Sequence, residues 1–203
     1  KPEAALAVLT TINETDIVYQ AISDTIIIAA NASTQLSEFI RTIAIVQRAF
    51  LKNGLLIRGG VAFEQHFKSG NLTYSHALAI AHELEQKQAV YPRIVVDKSV
   101  FQMIQSGTKF SLEDLKKLED EKMICVQNGI HFVNSAMIDL DAYFQNARSI
   151  FLAEKEQLDS NEHELAKHRW LQDYMVALSG NKLTPYMGSI DFFVLPPAEQ
   201  VTA

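Results

Sequence analysis

Residues 18–31, VYQAISDTIIIAAN, place one carboxylate between two strongly apolar runs. Ile17, Val18 and Ile22 precede Asp24, and Ile26, Ile27 and Ile28 follow it. β-Branched residues on both sides of a short polar break predict two antiparallel strands, Asp16–Ile22 and Thr25–Ala30. Ser23-Asp24 is then the turn, a standard place for Asp because its side chain bonds nearby backbone N–H groups. A carboxylate at the tip of a rigid hairpin is also well placed to bind a cation. The stretch alone supports both readings.

Working outward, Leu36, Phe39, Ile40, Ile43, Val46 and Phe50 recur at helical spacing. Ser33 or Thr34 can cap that helix and Gly54 can stop it. "LLIRGGVAFE" predicts a strand from Leu55 to Phe63, its two glycines removing side chains where something comes close. "SHALAIAHELEQKQAV" predicts a helix ending near Tyr91-Pro92. "RIVVD" reads as a short buried strand and "KSVFQMIQSG" as the helix after it. "MICVQ" and "IHFVN" flank Asn128-Gly129, the favoured pair for a tight hairpin turn. From about Met137 to Gly180 the pattern gives two long helices broken near Asp159-Ser160-Asn161. The order is α+β: an antiparallel-rich sheet carrying helices, with a C-terminal helical hairpin packed on it. The expected division is a core over residues 1–135 and a helical extension over 136–203.

With 203 residues, 48% of them hydrophobic, and only 5 Pro and 8 Gly, the chain can bury a packed core. A net charge of −6 argues against a nucleic-acid polymer as partner. No apolar run approaches the ~18 residues of a membrane helix. The single cysteine, Cys125, reads as a small core residue of a reduced, cytoplasmic protein. "KPEAALAVLTTI" reads as the tail of a helix, so further natural sequence is expected before Lys1.

Familiar catalytic signatures fail on spacing. His163 and His168 in "HELAKH" are five apart, about 140° around a helix, whereas a zinc-protease helix needs them four apart. His66, His76 and His82 show no ligand spacing. Neither the glycine-rich phosphate cradles nor the hydrolase elbow occurs. Arg58-Gly59-Gly60 sets a fixed cation beside bare strand backbone. Taken singly, Arg58 and Arg93 read as ordinary surface cations, and the glycines as a bulge.

Taken together, the "SD" hairpin, the helix, the "RGG" strand, "YSHALAIAHELE" and "YPRI" resemble the class III nucleotide cyclases. The closest likeness is to the pyrimidine nucleotide cyclases of bacterial anti-phage (Pycsar) defence. It covers roughly Asp16 to Asp97, and "KHRWLQDYM" is similar to a helix of that group. The resemblance implies a ferredoxin-like core with helices on one face of the sheet. It also implies that Asp24 is a ligand of the divalent metals, Mg²⁺ or Mn²⁺, on a nucleoside triphosphate. The backbone at Ile22-Ser23 would support that ligand, and Arg58 would contact phosphate or base. Tyr19 and Gln20 lie on the strand where the family reads the base. A homodimer with sites across its interface follows from the same likeness.

Three departures stand out. The family's first metal carboxylate lies on a preceding strand; Glu3 and Glu14 are in the wrong context to replace it. The positions holding Asn and Arg in purine cyclases carry Ala79 and Glu83, and the purine-selecting Lys is replaced by Gln20. Such losses fit the pyrimidine branch and count against an adenylyl or guanylyl cyclase. The resulting expectation is an enzyme making cyclic UMP or cyclic CMP. The alternative is an inactive cyclase-homology module that binds a nucleotide and regulates a partner.

Overall fold

The computed structural model describes residues 4–5, 7–11, 17–31, 33–69, 72–107, 109–158 and 160–188. Glu3, Glu14, Asp16 and Asp159 lie outside the described residues. A single turn of 3₁₀ helix, Ala7–Thr11, leads towards the hairpin of β1 (Ile17–Ile22) and β2 (Thr25–Ala30). Then follow α1 (Leu36–Lys52), β3 (Gly59–Val61), the hairpin β4 (His66–Ser69) and β5 (Leu72–Ser75), and α2 (His76–Lys87). The order continues with β6 (Ile94–Val96), α3 (Lys98–Gln105), α4 (Leu112–Asp120), β7 (Ile124–Gln127) and β8 (Ile130–Val133). Two long helices, α5 (Leu140–Leu158) and α6 (Glu162–Leu178), complete the described chain.

The fold is α+β, but its strands do not make one sheet. β3, β6, β8 and β7 form a four-stranded sheet in that order, while β1–β2 and β4–β5 are separate two-stranded ribbons. β3 runs parallel to β6; the β6–β8 and β7–β8 pairs are antiparallel. Helices also cover both faces of the sheet, not one. Ile94 and Val96 pack with Ile40, Ile43 and Ala44 of α1, whereas Val95 packs with Leu84 of α2. Neighbouring strand residues point to opposite faces, so α1 and α2 sandwich β6. That is why "IVV" reads as an unbroken apolar run.

Local chemistry explains most boundaries. Ser75 Oγ accepts from Leu78 N at 2.9 Å, Asp97 from Ser99 N at 2.6 Å and Asn161 from Glu164 N at 3.2 Å, each opening a helix. Asn128 and Gly129 take φ of 52° and 75°, as a tight hairpin turn requires. The predicted strand Leu55–Phe63 shrinks to Gly59–Val61, because among the described residues β6 alone pairs with it and runs alongside just three residues. The C-terminal helices dock through Phe144 and Ala147 of α5 and Trp170, Leu171 and Met175 of α6, around Phe132.

Candidate functional site

The Ser23-Asp24 turn forms as expected. Ile22 pairs with Thr25, Gln20 with Ile27 and Val18 with Ala29. Ser23 sits at φ 56°, the left-handed region that a tight hairpin turn imposes on its first central residue. Asp24 is exposed, and among the described residues it makes no ion pair. In a two-residue turn the flanking residues are a hydrogen-bonded pair, so the Ile22 carbonyl is directed across at Thr25. Asp24 is the carboxylate that the hairpin presents at its tip.

One carboxylate at a turn does not by itself make a closed protein cage for a cation, which needs several oxygen donors. A magnesium-sized ion takes hard oxygen donors and is commonly held by one or two carboxylates plus substrate phosphates. Among the described residues there is no cluster of three or more His, Cys, Asp or Glu side chains able to hold a metal. Burial pushes the Cys125 thiol up to about 11, so it carries little thiolate near neutral pH.

Arg58 stands at the entry to β3, its side chain 43% exposed and its Nε 2.6 Å from Glu85 Oε1 of α2. Ile26, just after Asp24, and Ile57, just before Arg58, share one apolar cluster. The fold therefore brings the starts of β2 and β3 to the same end of the molecule. Ala79 and Glu83 of α2 are both exposed, and Glu83 Oε1 is held by Lys87 Nζ at 2.6 Å.

Tyr19 and Gln20 are adjacent on β1 and so face opposite ways. Gln20 shares a face with Val18, Ile27 and Ala29, whereas Tyr19 lies across from Ile28, which packs against α1. They cannot form one wall. A cavity of about 550 Å³ lies beside the hairpin, lined by Val18, Ile27, Ala29, Val61, Phe63 and Ala81 among others. It touches none of Tyr19, Gln20, Ser23, Asp24 or Arg58. The main hollow is thus at the far end of the strands from the candidate metal ligand.

Arg93 is no surface cation. It is 5% exposed, with its guanidinium 5.5–5.7 Å from the ring centroids of Tyr91, Phe132 and Trp170. Nη1 donates to Gln127 Oε1 at 2.9 Å and Nη2 to Gln88 O at 3.0 Å, while Trp170 Nε1 donates to the same Gln127 oxygen at 2.8 Å. This aromatic box fastens α6 to the sheet. The "YPR" and "KHRW" stretches mark its parts, but nothing local announces that they meet.

No family model, curated protein or solved structure matches the chain. No described helix is long and apolar enough to cross a membrane.

Proposed function

We propose that the protein is a pyrimidine nucleotide cyclase, converting UTP or CTP into its 3′,5′-cyclic monophosphate and pyrophosphate as a signal in anti-phage defence. The observation that carries this reading is Asp24: an exposed carboxylate without an ion pair, held in a two-residue turn at the end of the fold where β3 begins with Arg58. A ribose 3′-hydroxyl attacking the α-phosphorus needs the triphosphate's charge neutralised and its oxygens aligned. Mg²⁺ or Mn²⁺ held by Asp24 would supply that neutralisation. Arg58, at the entry to β3, is the cation this reading assigns to phosphate or base, and Ser23 sets the turn's geometry. The resemblance to uridylate cyclases puts UTP ahead of CTP.

Two copies are expected to act together. Val18 and Ile22, on one face of β1, leave exposed apolar side chains of 54% and 51%, a surface of the kind that subunit contacts cover. Sedimentation at micromolar concentration should give a dimer without nucleotide. To test the activity, protein from the complete reading frame is incubated with Mn²⁺ and each ribonucleoside triphosphate separately, and products are identified by mass. Cyclic UMP or cyclic CMP supports the reading; cyclic AMP or cyclic GMP overturns it. No product from any of them points instead to a nucleotide-binding regulatory module.

A further inference from the structure

Helix α2 and the chain around β3 advance in matched steps where they touch. A side chain on Gly60 would run into the carbonyl of Ala81, which marks the closest approach of the two elements. Arg58 lies two residues before Gly60, about 7 Å along an extended chain. Glu85 lies four residues after Ala81, about 6 Å along the helix. Residues so spaced keep to one face of a strand or a helix. Seating Gly60 under Ala81 therefore sets Arg58 under Glu85, and Arg58 Nε is indeed 2.6 Å from Glu85 Oε1.

Glu85 is itself well anchored. Leu84 beside it is buried against Val95 of β6, and the Glu85 side chain is 20% exposed. Gln86 Nε2 donates to its other oxygen, Oε2, at 2.5 Å, and His82 Nδ1 stands 3.8 Å from that oxygen. The carboxylate thus grips Arg58 by Nε, the nitrogen nearest the aliphatic stem. Among the described residues the terminal nitrogens, Nη1 and Nη2, hydrogen-bond to no acceptor, and the side chain is 43% exposed. A guanidinium held this way keeps its outer fork of donors, which fits a phosphoryl group bidentately. A loose arginine gives up side-chain entropy when a ligand immobilises it, and one already fastened gives up less.

We propose that Glu85 is a positioning residue: it fastens Arg58 by Nε and holds the Nη fork ready for a phosphoryl group. The proposal rests on the cyclase reading only for the identity of that ligand, which the reading makes part of a nucleoside triphosphate. Simple charge argues the opposite role, because a carboxylate beside an anion site repels the anion. The sign of the Glu85 effect therefore separates holding from repelling. Glu85→Gln keeps the side chain's size and removes its charge, so it asks that question directly.

Titration calorimetry with inorganic tripolyphosphate, at low salt and without divalent metal, reads this site apart from Asp24 and apart from turnover. Arg58→Ala should weaken binding about tenfold or more, and Arg58→Lys about fivefold, because a point charge replaces the fork. Glu85→Gln, although it removes a negative charge, should weaken binding about threefold or more, because the fork is no longer held. Tighter or unchanged binding in Glu85→Gln overturns the proposal, and so does wild-type protein that does not bind tripolyphosphate. The NMR signal of the Arg58 Nε proton gives a check that needs no Glu85 variant. It should be visible in the free wild-type protein and move as tripolyphosphate is added; an absent or unmoved signal overturns the proposal. Turnover judges the cyclase separately. The expected binding pattern in a protein that makes no cyclic nucleotide supports the role of Glu85 and removes the cyclase. Cyclic UMP or cyclic CMP made with wild-type kcat and KM by both Arg58→Ala and Glu85→Gln keeps the cyclase and overturns the proposal.

Discussion

A Cβ built on Gly60 would stand 2.9 Å from Leu84 Cβ and run into the backbone carbonyl of Ala81, whereas one on Gly59 would meet nothing closer than Ile94 at 3.8 Å. The two glycines of "RGG" thus have different reasons for being there. Helix α2 lies directly on β3 at Gly60, and backbone cannot move aside as a side-chain tip can. Gly60→Ala should cost about 2–3 kcal/mol through overpacking, and Gly59→Ala should stay within about 0.5 kcal/mol. Urea melts of the two variants check the contrast. Equal losses would mean that α2 does not rest on Gly60.

The Arg93 box predicts a second contrast. A guanidinium can bond Gln127 and Gln88 in one plane while three rings lie against it; an ammonium cannot do both. Arg93→Lys should therefore cost about 2–4 kcal/mol, despite keeping the charge, because it gives up two charged hydrogen bonds and the fit of a flat guanidinium among the three rings. The chain has one tryptophan, Trp170, which shares the Gln127 oxygen. Its emission should shift to the red in Arg93→Lys as the box opens. An unshifted spectrum together with wild-type stability would show the box to be incidental.

How legible these features were depended on how local they are. The Ser23-Asp24 and Asn128-Gly129 turns, the cap at Asn161 and the helical stripe from Leu36 to Phe50 are all written in short windows. The capping box of α4, with Ser111 and Asp114 bonding each other's backbone, is equally local. What could not be read was pairing at a distance. Nothing in "LLIRGG" says that, among the described residues, Leu55–Arg58 pair with no strand and the hairpin and the sheet are separate. Likewise nothing in "YPR" says that three aromatic rings will close over Arg93. The candidate site divides the same way: the exposure of Asp24 follows from a turn, while the Arg58–Glu85 ion pair depends on how α2 crosses β3.

Between α5 and α6, His168 is 1% exposed, with Nε2 3.3 Å from Glu154 Oε2 and no partner for Nδ1. Burial pulls its imidazole below the ordinary range, against the opposing pull of Glu154 and Glu164. The unfolded chain then takes up this proton first as pH drops below about 6.5. Stability from this group is complete above that pH and is lost as pH falls towards the lower folded value. Denaturant melts between about pH 7 and 5 should show the decline, and His168→Gln should flatten it. A variant with an unchanged slope would assign the loss to other groups.

Asp24→Ala separates chemistry from folding. The carboxylate is exposed and unpaired, so its removal should change stability by less than about 1 kcal/mol. Removing a metal ligand instead takes away charge neutralisation in the transition state, and turnover of the complete protein should fall by at least about a thousandfold. Glu85→Gln, which frees Arg58 from its partly exposed ion pair, should alter stability by only about 0.5 kcal/mol. If Asp24→Ala keeps more than a few per cent of wild-type turnover while still folded, the metal assignment is wrong.

The geometry of β1 turns base selection into a choice between neighbours. Gln20 lies on the face shared with Val18, Ile27 and Ala29, and Tyr19 on the face of Ile28, so a base on one side of the hairpin meets only one of them. The Gln20 face is the open one, because Ile28 packs into the cluster beneath α1. A base read there loses a hydrogen bond when Gln20 is truncated, and a site polar group left unpaired discriminates strongly. In the complete protein, Gln20→Ala should lower kcat/KM for the pyrimidine triphosphate by about tenfold or more, and Tyr19→Ala by less than about threefold. The amide donates and accepts, so Gln20→Ala should weaken UTP and CTP alike rather than exchange one for the other. The opposite ranking, with Tyr19→Ala the damaging change, would move the base to the α1 side of the hairpin and remove Gln20 from the site.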